Sequence, residues 1–293
     1  MPEAEHSLME TVACPLCGTG EPARVLQAGP RAMARCRRCG LVYRSPRPPS
    51  AESATEVGEW SRAAEDQWLA ERRGVNFRRF LDGWVGPRGK LLDVGCGYGW
   101  FLQLAKAHGW EVVGIDRSPE AVQHARERLA VDARCGELYT PRFPGGAFDL
   151  VTLWNVLEFV PDPLGFLREI HRVLAPGGTL FIRTQNYFFQ RLSFLLTGWL
   201  RRADRPYRTF VFHANSFSPA PLRLLLRRTG FAALRVSNSP PTLGDPYRAF
   251  GGADRLLTGV KLGVHGLVQG LYFVSGRRWI LGPSLEAYAL REE

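Results

Sequence analysis

Two sets of residues in this 293-residue chain have the types and spacing for chemistry. The first is Leu91-Leu92-Asp93-Val94-Gly95-Cys96-Gly97-Tyr98-Gly99-Trp100-Phe101, an apolar run followed by three alternate glycines. Glycines there let the backbone turn sharply and approach a ligand closely. A helix beginning just after them would aim its first N–H groups at that ligand. A dinucleotide binder needs G-x-G-x-x-G, and its third glycine position is Trp100 here. Asp93 sets a carboxylate beside the loop, suited to orienting an ammonium or water and unwelcoming to a pyrophosphate. Asp116 closes the next apolar run, Val112-Val113-Gly114-Ile115, where a carboxylate can accept from both hydroxyls of a ribose. Ser118 suits the cap of the following helix better than Asp116 does.

The second set is Cys14-Pro15-Leu16-Cys17-Gly18 and Cys36-Arg37-Arg38-Cys39-Gly40, two CxxC pairs separated by 18 residues. Cys14, Cys17, Cys36 and Cys39 have zinc-ribbon spacing, and four thiolates make a closed tetrahedral site. Zinc held there is structural and supplies folding energy that so short a segment cannot draw from a core of its own. Cys96 and Cys135 stand alone.

The elements that must position these groups follow from pattern. Strands are expected at 90–94, 111–115, 131–135, 148–154, 179–184, 232–237 and 284–290. Helices are expected at 51–85, from the glycine loop to 108, and at 118–130, 163–174, 219–230 and 253–275. Pro176-Gly177-Gly178 reads as a helix stop. Strands alternating with helices imply an α/β fold with a doubly wound, mostly parallel seven-stranded sheet. The chain divides into a zinc ribbon (1–47), a helical connector (48–87) and a main domain (88–293) with insertions at 186–217 and 241–282.

At this point the residues resemble a class I S-adenosylmethionine-dependent methyltransferase. Phe148-Asp149-Leu150-Val151, Leu157-Glu158, Val160-Pro161-Asp162-Pro163 and Arg172-Val173-Leu174-Ala175-Pro176-Gly177-Gly178 resemble the later blocks of the small-molecule branch. The ribbon followed by Gly40-Leu41-Val42-Tyr43 and Pro46-Arg47-Pro48 resembles a bacterial subgroup with an N-terminal zinc ribbon. Some of its members resemble enzymes of sugar, polysaccharide or natural-product pathways. The resemblance implies that Gly95, Gly97 and Gly99 pass under the methionine part of the cofactor. Asp93 would act indirectly on the amino group, Asp116 would hold the ribose and Arg117 would flank the adenine. Glu137 and Leu138 would sit at the adenine edge, and Trp154 and Asn155 would line the transferring methyl. The family often has Glu-His where this chain has Glu158-Phe159. No Asn/Asp-Pro-Pro-Tyr/Phe follows the fourth strand, which disfavours methylation of adenine N6 or a glutamine amide.

A sulfonium methyl is already activated, so the reaction mostly needs a nucleophile held at near-attack distance. A hydroxyl nucleophile gains about 10²–10⁴-fold from a base. His213, in Val211-Phe212-His213-Ala214-Asn215-Ser216-Phe217, is the first candidate, and in the resembling subgroup a His often stands four residues before an aromatic. Glu158 is the reserve. The plainer role for His213 is to cap a helix or satisfy a loop carbonyl.

Composition bounds the partners. The net charge is +10, and residues 186–293 carry 15 basic and 6 acidic side chains. That field favours anionic partners, from phosphorylated substrates to lipid head groups or nucleic acid. The stretch 188–202 is aromatic-rich and ends in arginines, while 253–275 has Leu256, Leu257, Val260, Val264, Leu267, Val268 and Leu271 on one broad side. Lys261, His265 and Gln269 mark its polar stripe. Both stretches are candidates for peripheral membrane contact, and the second also for a homodimer. No secretory signal or spanning stretch is expected, so a cytoplasmic protein is anticipated, with the inner membrane face as a candidate address. The favoured function is methyl transfer to a small-molecule acceptor. The rivals are an RNA methyltransferase and a catalytically inactive scaffold.

Overall fold

A computed structural model describes residues 9–20, 22–28, 31–47, 63–196, 213–243 and 254–292. The elements are β1 (Pro22–Ala28), β2 (Arg31–Cys36), β3 (Val42–Arg44), α1 (Ala63–Asp82), β4 (Lys90–Val94), α2 (Trp100–Ala107), β5 (Glu111–Asp116), α3 (Pro119–Leu129), β6 (Asp132–Cys135), β7 (Phe148–Trp154), α4 (Pro163–Val173), β8 (Leu174–Gln185), α5 (Tyr187–Leu196), β9 (Asn215–Ser216), α6 (Pro219–Arg228), β10 (Phe231–Ser239), α7 (Asp254–Val274) and β11 (Ser284–Arg291). A 3-10 turn spans Leu157–Phe159.

The large sheet runs β10-β11-β8-β7-β4-β5-β6. The pairs β4–β5, β4–β7, β5–β6 and β7–β8 are parallel, and β11 is antiparallel to both its neighbours. The central strands β4 and β7 read as near-continuous apolar runs because helices cover both faces of the sheet. This is the doubly wound, mostly parallel architecture that the sequence predicts. Helix starts follow local chemistry. Ser118 Oγ accepts from Ala121 N at 3.2 Å, and Asp162 Oδ1 accepts from Gly165 N at 3.0 Å, with Pro next in each helix. One local expectation changes: Pro176-Gly177-Gly178 lies inside β8, which already begins at Leu174.

Helix α1 lays Phe77, Phe80 and Leu81 into the core with Phe101, Trp154 and Phe181, so it forms a layer over the sheet. Trp60, read as part of this helix, lies outside the described residues.

The cysteine segment is tied to the domain by backbone. Its sheet runs β1-β2-β3-β9, and β9 follows β8 of the large sheet in sequence, far from β3. Val42 pairs with Ser216 and Tyr43 with Asn215, while Arg44 N donates to Ala214 O at 3.0 Å. Arg228 Nη1 donates to Leu16 O at 2.7 Å and Arg47 Nη1 to Pro161 O at 3.3 Å. Cys14, Leu16, Leu41 and Tyr43 share one buried cluster with Phe217, Leu222 and Phe166.

The four cysteine sulfurs all lie within 4.8 Å of one another. Cys14 Sγ is 3.5 Å from Cys39 Sγ, and Cys17 Sγ is 3.4 Å from Cys36 Sγ. Disulfide sulfurs would be about 2.05 Å apart. Tetrahedral zinc with Zn–S of about 2.3 Å needs sulfurs about 3.8 Å apart. The donor set and its spacing therefore fit a structural zinc, which would be held by Cys14, Cys17, Cys36 and Cys39.

Because ribbon and domain share a core, metal loss should be felt by the whole molecule. Elemental analysis should find about one zinc per chain, absent in Cys36→Ser. A single thermal transition should drop by at least about 5 °C in that variant. A small separate ribbon melt, with the main transition unmoved, would contradict this.

Candidate active site

The chain leaves β4 through the glycine loop and enters α2. Gly95 has φ 75°, and a Cβ there would fall 2.4 Å from Val156 Cγ2. Gly99 has φ 84°, and its Cβ would meet that of Ala125 at 2.8 Å. Both positions therefore require glycine for packing as well as for the turn. At the third position, Gly97 N donates to Asp116 Oδ2 at 2.8 Å, and Ser118 N donates to Asp116 Oδ1 at 2.9 Å. The carboxylate at the end of β5 thus lies against the glycine loop, and capping is left to Ser118.

Asp93 is buried in β4 and accepts from Thr152 Oγ1 at 2.7 Å. Burial pushes its carboxyl up to about 8, the Thr152 hydrogen bond opposes this, and the Asp116 charge adds to it. A cationic ligand would stabilise the ionised form. Asp93, Gly95, Gly97 and Trp154 line a cleft of about 70 Å³. Its other walls are Arg73 and Phe77 of α1, Cys96 and Tyr98 of the loop, and Trp100 and Phe101 of α2. The indole N–H groups of Trp100 and Trp154 are buried without an acceptor, an opening for a polar ligand. A buried carboxyl, a second carboxylate on the loop and two unpaired donors fit S-adenosylmethionine, whose amino acid end, sulfonium and ribose are polar or charged. Arg73 is one of four arginines on α1, with Arg72, Arg78 and Arg79, and no local pattern distinguishes it from them.

The other expected residues fall elsewhere. Arg117 and Glu137 are exposed and paired at 3.7 Å. Leu138 is buried in the main core, and Gly136 N donates to Asp116 O at 2.8 Å, which holds this loop beside β5. Asn155 follows β7 with φ 59°. Its amide donates to Glu158 Oε1 at 3.1 Å and accepts from Arg183 Nη1 at 2.6 Å. Thr184 Oγ1 donates to Glu158 Oε2 at 2.8 Å. Glu158 is buried, which raises its pKa against these hydrogen bonds and the Arg183 charge. Both its oxygens are engaged in tying the turn after β7 to β8. That geometry suits a positioning residue rather than the reserve base expected from sequence.

His213 is buried too. Its ring lies edge-on to Phe159, centroids 4.4 Å apart, and its Nε2 is 3.4 Å from Gln185 Nε2. Burial alone lowers its pKa to about 3, so the imidazole is neutral at physiological pH.

Sheet order, glycine loop and cleft define a class I methyltransferase. A family profile described as a methyltransferase domain matches residues 62–236, and the chain belongs to that family. It is an S-adenosylmethionine-dependent methyltransferase. The ubiquinone biosynthesis O-methyltransferase of Xanthomonas campestris pv. campestris is 32% identical over 175 residues, covering 55% of this chain and 69% of that protein. Its counterpart from Pseudomonas paraeruginosa is 33% identical over 166 residues, covering 52% and 71%. Phosphoethanolamine N-methyltransferase 2 of Haemonchus contortus, solved with S-adenosyl-L-methionine, shares the fold with TM-score 0.55 at 18% identity, over 92% of this chain and 71% of that one.

The Asp93 shift carries a stability consequence. Its folded pKa stands above the unfolded value, so the native state holds the extra proton between about pH 4 and 8, and stability falls as pH rises through that window. Asp93→Asn should therefore raise the melting temperature of the ligand-free protein more at pH 8 than at pH 5. The same variant should bind S-adenosylmethionine more weakly by calorimetry. An equal gain at both pH values would contradict the assignment.

Proposed function

We propose that this protein methylates a hydroxyl of a small-molecule acceptor in the cytoplasm, with His213 taking the hydroxyl proton. The observation that carries this reading is the contact between His213 and Phe159. Residue 159 is where the resembling family often has its histidine. Here that position is a phenylalanine, and an imidazole from a distant segment lies against its ring. Phe159 is 38% exposed, so an acceptor can reach this edge.

S-adenosylmethionine supplies the electrophilic sulfonium methyl. The acceptor oxygen forms the new C–O bond while the S–CH3 bond breaks and its electron pair stays on sulfur. The hydroxyl proton passes to the His213 imidazole and then to solvent. Gln185 can donate to the ring and hold its orientation. Asp93 and Asp116 would hold the cofactor, and the Glu158–Asn155–Arg183 network fixes the turn between cleft and acceptor.

The low basicity of His213 narrows the acceptor. A weak base suits an acidic hydroxyl, of phenol or enol type, better than an aliphatic sugar hydroxyl. Within the range expected from sequence, this favours an aromatic natural-product intermediate over a sugar or glycan. The O-methyltransferase names of the relatives lend support.

The test is release of S-adenosylhomocysteine with panels of phenols, sugars and RNA. Turnover should appear with phenols. His213→Ala should lower kcat, by less than the roughly 10²–10⁴-fold that a base matched to neutral pH contributes, and leave the Kd for S-adenosylmethionine unchanged. The rate should show no histidine limb near pH 6.5, since burial holds the His213 imidazole well below the usual histidine range. Turnover on sugars or RNA alone, or full activity in His213→Ala, would contradict the proposal.

A further inference from the structure

Helix α7 lies the opposite way round from the usual amphipathic arrangement. Its polar stripe faces the protein: Lys261 Nζ donates to Thr242 O at 2.9 Å, and His265 is half-buried within the field of Arg79. Val268 is buried on the same side, and Tyr272 packs against the core. Its apolar residues face outward. Leu256 is 71% exposed, Leu267 67% and Val274 87%, with Val260, Leu262 and Phe273 also exposed. Contiguous apolar exposure of this kind marks an interaction surface. Among the described residues no helix is long and apolar enough to cross a membrane.

Charge says what covers the surface. Residues 254–285 contain Arg255, Lys261, Arg277 and Arg278 against one acidic residue, Asp254. The three arginines are exposed, and Trp279 beside them is 55% exposed. Gly259, Gly263, Gly266 and Gly270 leave open space on the outer side, so the face is flat. A second copy laid along it would bring Arg255 against its own counterpart if parallel, or against Arg277 and Arg278 if antiparallel. The net charge over 254–285, four basic minus one acidic or +3, therefore favours an anionic occupant over a second copy. The start of α5 belongs to the same edge, since Asn186 Nδ2 donates to Ile280 O and Gly282 O. From there α5 presents Phe188, Leu192 and Leu195 to the outside.

We propose that α7 is a docking surface for an anionic lipid surface. The apolar outer face would enter the interface, with Trp279 at its rim and the arginines among the head groups. This reading does not depend on the acceptor or on His213.

The test is co-sedimentation of the zinc-loaded full chain with vesicles. Binding is expected to phosphatidylcholine vesicles containing phosphatidylglycerol, to be weaker on phosphatidylcholine alone, and to fall with salt. Leu256→Glu/Leu267→Glu should cut binding at least about tenfold. Both positions are exposed, so melting temperature and S-adenosylmethionine binding should stay unchanged, which separates lost docking from lost folding. Brominated lipid should quench the native protein more than Trp279→Phe. No sedimentation with either vesicle, or sedimentation untouched by the double substitution, would overturn the proposal. So would a dimer by light scattering that the double substitution dissolves, because the face would then belong to a second copy.

Discussion

Residues 213–217 are held by backbone hydrogen bonds on two sides. Toward the ribbon, Asn215 and Ser216 pair with β3, and Arg44 donates to Ala214 O. Toward the large sheet, Phe217 bridges Asn186 at the end of β8, and Tyr187 N donates to Phe217 O at 2.9 Å. Asn215 Nδ2 adds a bond to Val160 O at 2.6 Å, which reaches the turn after β7. His213 leads this strap, so its place beside Phe159 depends on a segment folded around four cysteines some two hundred residues earlier in the chain. The ribbon is hydrogen-bonded and packed into the domain rather than appended to it.

The cleft is built on a different constraint. A buried carboxyl at Asp93 costs stability whenever it ionises, and the fold offers it one hydroxyl, Thr152. Asp116 is better placed, with two backbone N–H donors. The two acids therefore divide the work: one is satisfied before ligand arrives, and one is left under-compensated beside the cleft. Groups of that second kind are expected where a charged ligand completes the electrostatics. Glu158 shows the contrast, since its buried oxygens are met by Asn155 and Thr184 and it serves the turn.

The parts legible in the sequence were local. The strands β4, β5 and β7, the glycine loop and the Ser118 cap each follow from a few consecutive residues, and the cysteine spacing points directly to a four-sulfur cluster. Pairing of β3 with β9 was not legible, because two residues carry no strand signal and their partner is far away in sequence. Arg73 gave no signal for the same reason: only the docking of α1 brings it to the cleft. Helix α7 was legible as a helix with an apolar side offered for contact; what its polar stripe meets, Thr242 among them, depends on the fold. The contact between His213 and Phe159 was not legible either, because the two stand far apart in sequence and no local pattern joins them.

The coupling between ribbon and site is most directly tested by hydrogen exchange of backbone amides in the zinc-loaded and zinc-stripped protein. The account predicts that residues 213–217 lose protection together with β3 when zinc is removed, and lose more of it than β4 and β5 do. Unchanged protection at 213–217 alongside a melted β3 would show that the strap stands without the ribbon and would contradict the account.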